Sequence, residues 1–193
     1  MVFKVLALAL LAGTAQAGEL EGVQLEDRVR VDGQALELNG IALRTRMFFK
    51  VYVAGLYLPQ KARNAQSAIE SPGAKRIILV MLRDASADQF CDSVEVGLEN
   101  NHSEEELERL KPRVEALFTK IRAIGEARKG MRIVLDYSSS MHETMLYIDG
   151  AAQGDAIRGR EFFLALLRIW LGKRPAQADL KRLLLGRDQD AKE

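Results

Sequence analysis

Residues 44–58, with the sequence RTRMFFKVYVAGLYL, form the longest run in this chain of 193 residues that has the composition of a β-strand. β-Branched and aromatic side chains favour a pleated, packed environment, and no proline interrupts the run before Pro59. Both alternating faces are largely apolar, which predicts a central strand covered on both sides. At about 3.3 Å per residue the run would span roughly 50 Å, so we expect a bend or bulge at residues 44–46 or at Gly55.

The overall composition indicates one globular domain rather than a disordered chain or a membrane bundle. Hydrophobic residues make up 48% of the sequence and charged residues 28%, which supplies enough apolar material for a core. The 28 Lys and Arg residues nearly balance the 27 Asp and Glu residues, so we expect no basic face for nucleic acid. No pattern in the sequence indicates a particular oligomeric state.

The first residues have the pattern of a cleavable secretory signal. Lys4 lies in a short positive region, residues 5–12 are apolar, and small residues precede the end of the pattern at Ala17. The apolar run is much shorter than the roughly 20 residues that span a bilayer, so we expect cleavage near Ala17 and no stable membrane anchor. We therefore predict a periplasmic or secreted protein, with residues 18–193 as a single domain and residues 187–193 as a frayed tail.

The segments around the long run predict an antiparallel sheet. Residues 23–38 have the pattern of two short strands joined by a turn at Asp32-Gly33, and Asn39-Gly40 is interpreted as a second turn that leads into the long strand. Three later runs have the composition of strands: residues 77–82, 132–137 and 144–148.

Helices are predicted between and after these strands. Ser86 begins one, Ser103 with Glu106 forms a capping box for the next, and Pro112 predicts a kink or break in that second helix. Residues 161–171, EFFLALLRIWL, are apolar around nearly the whole helix, which predicts a buried helix. A further helix follows Pro175. Together the elements predict an α+β fold.

Few residues suggest metal or nucleophilic chemistry. His102 and His142 lack companion Cys or carboxylate ligands at metal spacing, so we predict no metal site and no cofactor. Cys91 is the only cysteine, which excludes an intramolecular disulfide. Its place beside an apolar helix stripe predicts a buried thiol rather than a nucleophile.

Three motifs in the same order resemble the bacterial exported branch of the chalcone isomerase-like family. They are Asn39-Gly40 followed by Arg44, FFKVYVAGLYLP at residues 48–59, and FFLALLRIWLG at residues 162–172. The resemblance covers residues 36–186. It implies an antiparallel β-sheet packed by a layer of α-helices, an open-faced sandwich with a ligand cleft between the layers.

The same resemblance argues against the plant enzymes' reaction. Those enzymes cyclise chalcones with an arginine, a threonine on the long strand, a tyrosine and an asparagine on the following helix, and a late threonine. The strand threonine corresponds to Tyr52, and the last three positions correspond here to Phe90, Gly97 and Ile169. Phenylalanine, glycine and isoleucine cannot donate the required hydrogen bonds, so we predict no chalcone isomerase activity and assign no catalytic residue.

Non-catalytic plant relatives bind fatty acids through an arginine and a tyrosine, and Arg44 and Tyr52 are similar to that pair. We therefore predict non-catalytic binding of a fatty acid or similar apolar carboxylate in the cleft, in the periplasm, with Arg44 and Tyr52 as ligand residues. In a straight strand these two residues would lie about 26 Å apart. Both can touch one carboxylate only if the chain bends or bulges between them.

Two other functions and one structural role for Arg44 stay open. An enzyme of unknown isomerase or lyase type would use Arg44 to stabilise an oxyanion and Tyr52 or Tyr57 as the general acid. A protein-interaction module would bind no small ligand and would have a filled cleft. Arg44 could also simply form an ion pair at the strand end with a carboxylate such as Glu37.

Overall fold

The computed structural model describes residues 18–187, so the predicted signal peptide and most of the predicted tail lie outside the described residues. The strands are β1 (Gly18–Leu20), β2 (Val23–Leu25), β3 (Arg28–Val31), β4 (Gln34–Arg46), β5 (Phe49–Leu58), β6 (Lys75–Met81), β7 (Ala85–Ser86), β8 (Glu126–Ala127), β9 (Arg132–Ser138), β10 (Glu143–Ile148), β11 (Ala151–Ala152) and β12 (Ile157–Arg158). The helices are α1 (Ala65–Glu70), α2 (Ala87–Glu99), α3 (Glu104–Ile124), α4 (Arg160–Leu171) and α5 (Ala178–Leu184).

The main sheet is antiparallel throughout, and its strands follow the order β11-β10-β9-β6-β5-β4-β3, with β12 also paired to β10. One face carries the helices and contains the larger apolar core, to which β5, β6, β9, α2, α3 and α4 all contribute. The α+β class and the packing of helices on an antiparallel sheet are thus confirmed.

The opposite face of the sheet has a smaller apolar cluster. Leu25, from β2, is fully buried against Leu38 and Tyr57 there. Gly55 allows this approach, because a Cβ at that position would lie 2.4 Å from Leu25 Cδ1. The central strand is therefore covered on both sides, as its apolar faces predict. Gly55 serves close packing, and the pairing of β5 with β4 and β6 is regular at this residue.

The prediction of one long strand is wrong, because residues 44–58 belong to two strands. The chain reverses at Met47-Phe48, so β4 and β5 form a two-residue hairpin in which Arg46 pairs with Phe49. Met47 takes a positive φ of 55° at this turn. The run is too long for one strand, and the chain direction reverses completely within it. The turn contains no glycine, asparagine or proline.

Asn39-Gly40 is not a turn, contrary to the sequence interpretation. Both residues lie within β4 at a bulge, where the register with β5 passes from Leu38 to Gly40. The buried Asn39 side chain donates from Nδ2 to the carbonyls of Ala62 (3.0 Å) and Leu184 (2.7 Å) and accepts from the Ala62 amide (2.6 Å). At Gly40 a Cβ would lie 2.2 Å from the Leu183 carbonyl oxygen. The motif fastens the end of α5 to the sheet.

The predicted helices are confirmed with small changes in their bounds. Ser86 and Ser103 cap α2 and α3 in capping boxes with Gln89 and Glu106. The expected break at Pro112 does not occur, because α3 runs through this residue as one helix. In α4 nine of the twelve residues are buried. Within residues 18–187 no helix is both long and apolar enough to cross a membrane.

Replacing Asn39 by alanine should lower the free energy of unfolding by about 2–4 kcal/mol, because it leaves buried groups of Ala62 and Leu184 without partners. Urea denaturation followed by circular dichroism measures this loss. The matched control is Asn100→Ala at the exposed end of α2, which should change stability by less than about 0.5 kcal/mol. Equal effects of the two substitutions would contradict the role assigned to Asn39.

Candidate functional site

Arg44 and Tyr52 are direct cross-strand neighbours in the hairpin of β4 and β5. Side chains of directly paired residues point to the same face of a sheet and lie roughly 5 Å apart at Cβ. That face is the one covered by helices, since Ala42 and Ala54, each two residues away, belong to the larger core. The hairpin thus brings together the two residues predicted to bind a carboxylate.

Arg44 is held in place by the N-terminal end of α5. Its Nη1 donates to the Thr45 carbonyl (2.7 Å) and to Gln177 Oε1 (3.2 Å), and the same Gln177 oxygen accepts from the Thr45 amide (3.0 Å). Among residues 18–187 we find no ion pair between Arg44 and a carboxylate. The suggested pairing with Glu37 is wrong, because Glu37 pairs with Arg28 at 3.1 Å. Arg44 is therefore a half-buried cation with neutral partners.

Tyr52 lies between this cation and the helix layer. Trp170 of α4 donates from Nε1 to the Tyr52 hydroxyl at 2.9 Å. Burial raises the pKa of Tyr52, while the Trp170 donor and the positive charge of Arg44 act in the opposite direction. The hydroxyl is consequently neutral at physiological pH and can donate a hydrogen bond to an anion beside Arg44.

A row of side chains leads from this pair across the end of the sheet. Tyr52 pairs with Met81 of β6, and the Met81 amide donates to the carbonyl of Met131, just before β9. Three strand spacings of about 4.8 Å separate β4 from β9, so the row is roughly 14 Å long. Its polar residues lie at the β4–β5 end and its apolar residues lie towards β9.

Two small apolar cavities lie between the sheet and the helices, and neither is lined by Arg44, Tyr52 or Met81. Met131 lines one of them and Trp170 lines the other, and both cavities are lined by Phe90, Ile121, Ile133 and Leu146. Each has a volume of about 20 Å³, enough for a water-sized sphere but not for an alkyl chain. Four residues that line the first cavity are only partly buried: Phe90, Ile124, Met131 and Ile148.

The positions that correspond to the plant enzymes' hydrogen-bonding residues are apolar contacts in this interior. Phe90 lines both cavities. Gly97 of α2 lies against Ile169 of α4, so closely that a Cβ on Gly97 would be 2.6 Å from Ile169 Cγ2. An asparagine could not occupy position 97 unless Ile169 moved. The two substitutions therefore fit each other, and they make a tight helix contact where the enzymes place polar groups.

Gly97→Ala tests this contact. Alanine gains roughly 1 kcal/mol over glycine in a helix, but the clash with Ile169 should exceed this gain and give a net loss of about 1–2 kcal/mol. In a double-mutant cycle with Ile169→Ala, the loss caused by Gly97→Ala should largely disappear. Thermal and urea unfolding provide the measurement, with the exposed Val96→Ala on the same helix as control. Additive effects of the two substitutions would exclude the contact.

A second polar group faces the helices at the far end of β6. Lys75 is 1% exposed, lies over the Tyr137 ring at 5.9 Å, and donates from Nζ to the Ser71 carbonyl. The Tyr137 hydroxyl is hydrogen-bonded to His142 Nδ1 at 2.9 Å. Burial lowers the pKa of Lys75 from 10.5 to about 8, and the charge of Arg160 adds to this effect. Lys75 is almost fully buried and already donates to a backbone carbonyl, so we assign it no ligand.

The lowered pKa of Lys75 predicts a stability that depends on pH. Between about pH 8 and 10.5 the unfolded chain binds this proton and the folded chain does not, so stability increases as pH rises. The contribution should grow by up to about 3 kcal/mol across this interval. Urea denaturation at pH 8 and pH 10 should show this gain in the wild type and in an exposed Lys61→Met control, but not in Lys75→Met. If the free energy of unfolding changed with pH equally in the wild type and in Lys75→Met, this role of Lys75 would be refuted.

The other candidates from the sequence lie outside the Arg44–Tyr52 site. Tyr57 faces the opposite side of the sheet and donates to the Glu26 carbonyl at 2.8 Å, so it cannot act together with Arg44. Cys91 is a buried free thiol, as predicted, and burial raises its pKa. Within residues 18–187 no group of three or more His, Cys, Asp or Glu side chains is placed to hold a metal ion.

The sequence interpretation missed Trp170 and Gln177. Trp170 could have been noticed, because a tryptophan within a fully apolar helix needs an acceptor for its indole N–H. Gln177 has no such pattern. It lies more than a hundred residues from Arg44 in the sequence, and only the docking of α5 against β4 brings the two together.

Comparisons with known proteins agree with this architecture. A comparison with curated protein sequences found no match. The structure is similar to the crystal structure of a fatty-acid binding protein from Arabidopsis thaliana, with a TM-score of 0.68, 14% sequence identity, and coverage of 85% of this chain and 92% of the plant chain. At this identity the likeness shows a shared fold. A sequence model described as chalcone isomerase-like matches residues 17–186, and the protein belongs to the chalcone isomerase-like family.

Proposed function

We propose that this protein binds a fatty acid or a similar apolar carboxylate without transforming it. The observation that carries the proposal is the register of the hairpin, which places Arg44 beside Tyr52 at the margin of the apolar layer between sheet and helices. The two N–H groups on Arg44 Nη1 donate to Thr45 and Gln177. The N–H groups on Nε and Nη2 are then available to donate hydrogen bonds to a ligand carboxylate beside Tyr52. The carboxylate binds here and the tail enters the apolar layer.

The tail contributes most of the affinity and the carboxylate sets the orientation. A hydrogen bond to a charged group contributes about 1.5–3 kcal/mol, whereas each buried methylene contributes about 0.8 kcal/mol. About two to four methylenes therefore equal the contribution of the anchor. Binding should strengthen with chain length until the apolar layer can take no more methylenes.

Ligand entry requires the apolar layer to open. The two cavities together are far smaller than an alkyl chain, so lining side chains must move when the tail enters. Phe90 and Met131 are suited to this movement, because both are partly exposed and Met131 has a flexible, unbranched side chain. The ligand-bound state would then be one that the tail itself stabilises.

Two features of the wider comparison support this function. The Arabidopsis protein with the same fold is a fatty-acid binding protein. The positions of the enzymatic hydrogen-bonding residues are occupied here by Phe90, Gly97 and Ile169.

We also propose that the protein belongs to a bacterial exported branch of the family and acts in the periplasm. The signal-like first 17 residues motivate that location, which fractionation of expressing cells would test.

Arg44→Ala should weaken binding of a fatty acid by roughly ten- to a hundredfold, because it removes the charged anchor. Binding of the matching fatty alcohol should change much less. Isothermal titration with an acid and an alcohol of equal chain length measures the difference. Arg46→Ala, an exposed arginine in the same hairpin, is the matched control and should leave both affinities in free solution unchanged.

Native mass spectrometry of protein purified from cells tests the function directly. We expect a bound mass in the range of a fatty acid, and an increase in melting temperature when fatty acids of increasing length are added. Ligand-free spectra combined with no thermal shift for any fatty acid would exclude the proposal.

The close packing of the interior favours a second candidate, a protein-interaction module that needs no small ligand. A module of this kind has a filled space between sheet and helices, and the small cavities are consistent with it. The same mass spectra distinguish the two functions, because the module predicts a co-purifying protein in place of a small ligand.

A further inference from the structure

The turn of the β4–β5 hairpin exposes an apolar group of residues, which we name the hairpin tip and define as residues 46–50, RMFFK. Met47 and Phe48 are 84% and 95% exposed, and Phe49 is 55% exposed. Only two other large hydrophobic residues within the described chain are comparably exposed, Val96 and Met141, and each stands alone. Contiguous exposed apolar side chains of this kind mark a surface that contacts another partner.

The charges around the hairpin tip are mainly basic. Arg46 and Lys50 flank the apolar residues, and Arg83 from the end of β6 stacks on the Phe49 ring at 4.5 Å. Lys50 also forms an ion pair with Glu21 at 2.6 Å, and Asp84 follows Arg83 in the chain. The tip itself contains two basic residues and no acidic one, so its own charge is complementary to an anionic surface.

We propose that the hairpin tip docks on an anionic lipid bilayer, with Met47 and Phe48 inserted among the headgroups and Arg46 and Lys50 at the phosphate level. Met47 and Phe48 are largely exposed side by side at a tight turn, so both can enter the headgroup region together. Basic residues beside apolar ones attract anionic lipids and then anchor in the interface. The turn backbone stays at headgroup depth, where water satisfies its polar groups.

This surface lies directly beside the proposed ligand site. Arg44 is two residues from Arg46 on the same strand, so a tip at headgroup depth holds Arg44 and Tyr52 at the level where the carboxylate of a membrane-dissolved acid lies. The docking rests on the hairpin tip alone. Its use for collecting or releasing ligand rests on the proposed function, and the test below requires no fatty acid.

Co-sedimentation with vesicles tests the docking. Vesicles of phosphatidylcholine with phosphatidylglycerol should bind the wild-type protein, vesicles of phosphatidylcholine alone should bind it more weakly, and added salt should reduce binding to the anionic vesicles. Phe48→Glu should weaken partition by about tenfold or more, since it removes an inserted aromatic ring and adds a negative charge. Met141→Glu, at an exposed apolar residue elsewhere, should leave partition within about twofold of the wild type.

Fluorescence provides an independent readout of insertion. Trp170 is the only native tryptophan and is buried, so the emission of Phe48→Trp after subtraction of the wild-type emission reports on the hairpin tip. Anionic vesicles should shift this emission to shorter wavelength, and the same vesicles should leave Met141→Trp unshifted.

Three results would overturn the proposal. The first is absence of wild-type binding to anionic vesicles at low salt. The second is equal loss of binding in the Phe48→Glu and Met141→Glu variants. The third is a vesicle-independent dimer that dissociates in Phe48→Glu, because the tip would then be an interface between copies of the chain. If the wild-type protein bound no fatty acid in solution, the proposed function would be refuted and the docking proposal would be unaffected.

Discussion

The antiparallel pairing of β4 with β5 is the constraint on which the rest of the structure depends. Nine residue pairs hold the two strands together from Glu37 to Arg46, with one bulge at Asn39 and one further irregularity after Arg44. Because side chains alternate between faces, a shift of one residue in this register would move Arg44 to the other side of the sheet. The bulge also turns the Asn39 side chain towards Ala62 and Leu184, and thereby attaches α5 to the strand that carries Arg44.

On the helix-facing side of the sheet, the polar groups lie at two opposite ends. Arg44 and Tyr52 lie at one end, and Lys75 with Tyr137 lies at the other, with apolar residues of β5, β6 and β9 between them. The two ends differ in electrostatics. Lys75 is almost fully buried and its pKa is lowered, whereas the Arg44 guanidinium is partly exposed. At the Arg44 end a partly exposed guanidinium lies beside the Tyr52 hydroxyl, which is why the proposed carboxylate site lies there.

The three positions that correspond to polar residues of the plant enzymes lie inside the apolar layer of this protein. Phe90 lines the cavities, and Gly97 and Ile169 pack against each other where α2 meets α4. A polar side chain at these positions would need a hydrogen-bond partner that the surrounding hydrocarbon does not supply. The interior of the fold is therefore apolar and closely packed at these positions. The hairpin that carries Arg44 and Tyr52 also presents Met47 and Phe48 to solvent, so the proposed carboxylate site and the proposed membrane contact lie in one short segment.

The assignment of Arg44 and Tyr52 to a carboxylate came from the family resemblance and stays a prediction. The sequence by itself determined the α+β class, most of the helices with their capping boxes, and the buried cysteine. These features depend on local periodicity and on residue chemistry, which are written directly in the chain. The sequence interpretation of residues 44–58 failed at Met47-Phe48 because the turn contains no residue typical of turns. Asn39-Gly40 was misread for the opposite reason, since it has turn composition but lies in a bulge.

Only the tertiary structure decided whether Arg44 and Tyr52 share one place. That question depends on strand register, which is fixed by contacts between residues far apart in the chain. Trp170 and Gln177, which hold Tyr52 and Arg44, lie more than a hundred residues away from them, and no local pattern connects these positions. The sequence therefore specifies which groups are available, and the packing of α4 and α5 on the hairpin specifies how they are arranged.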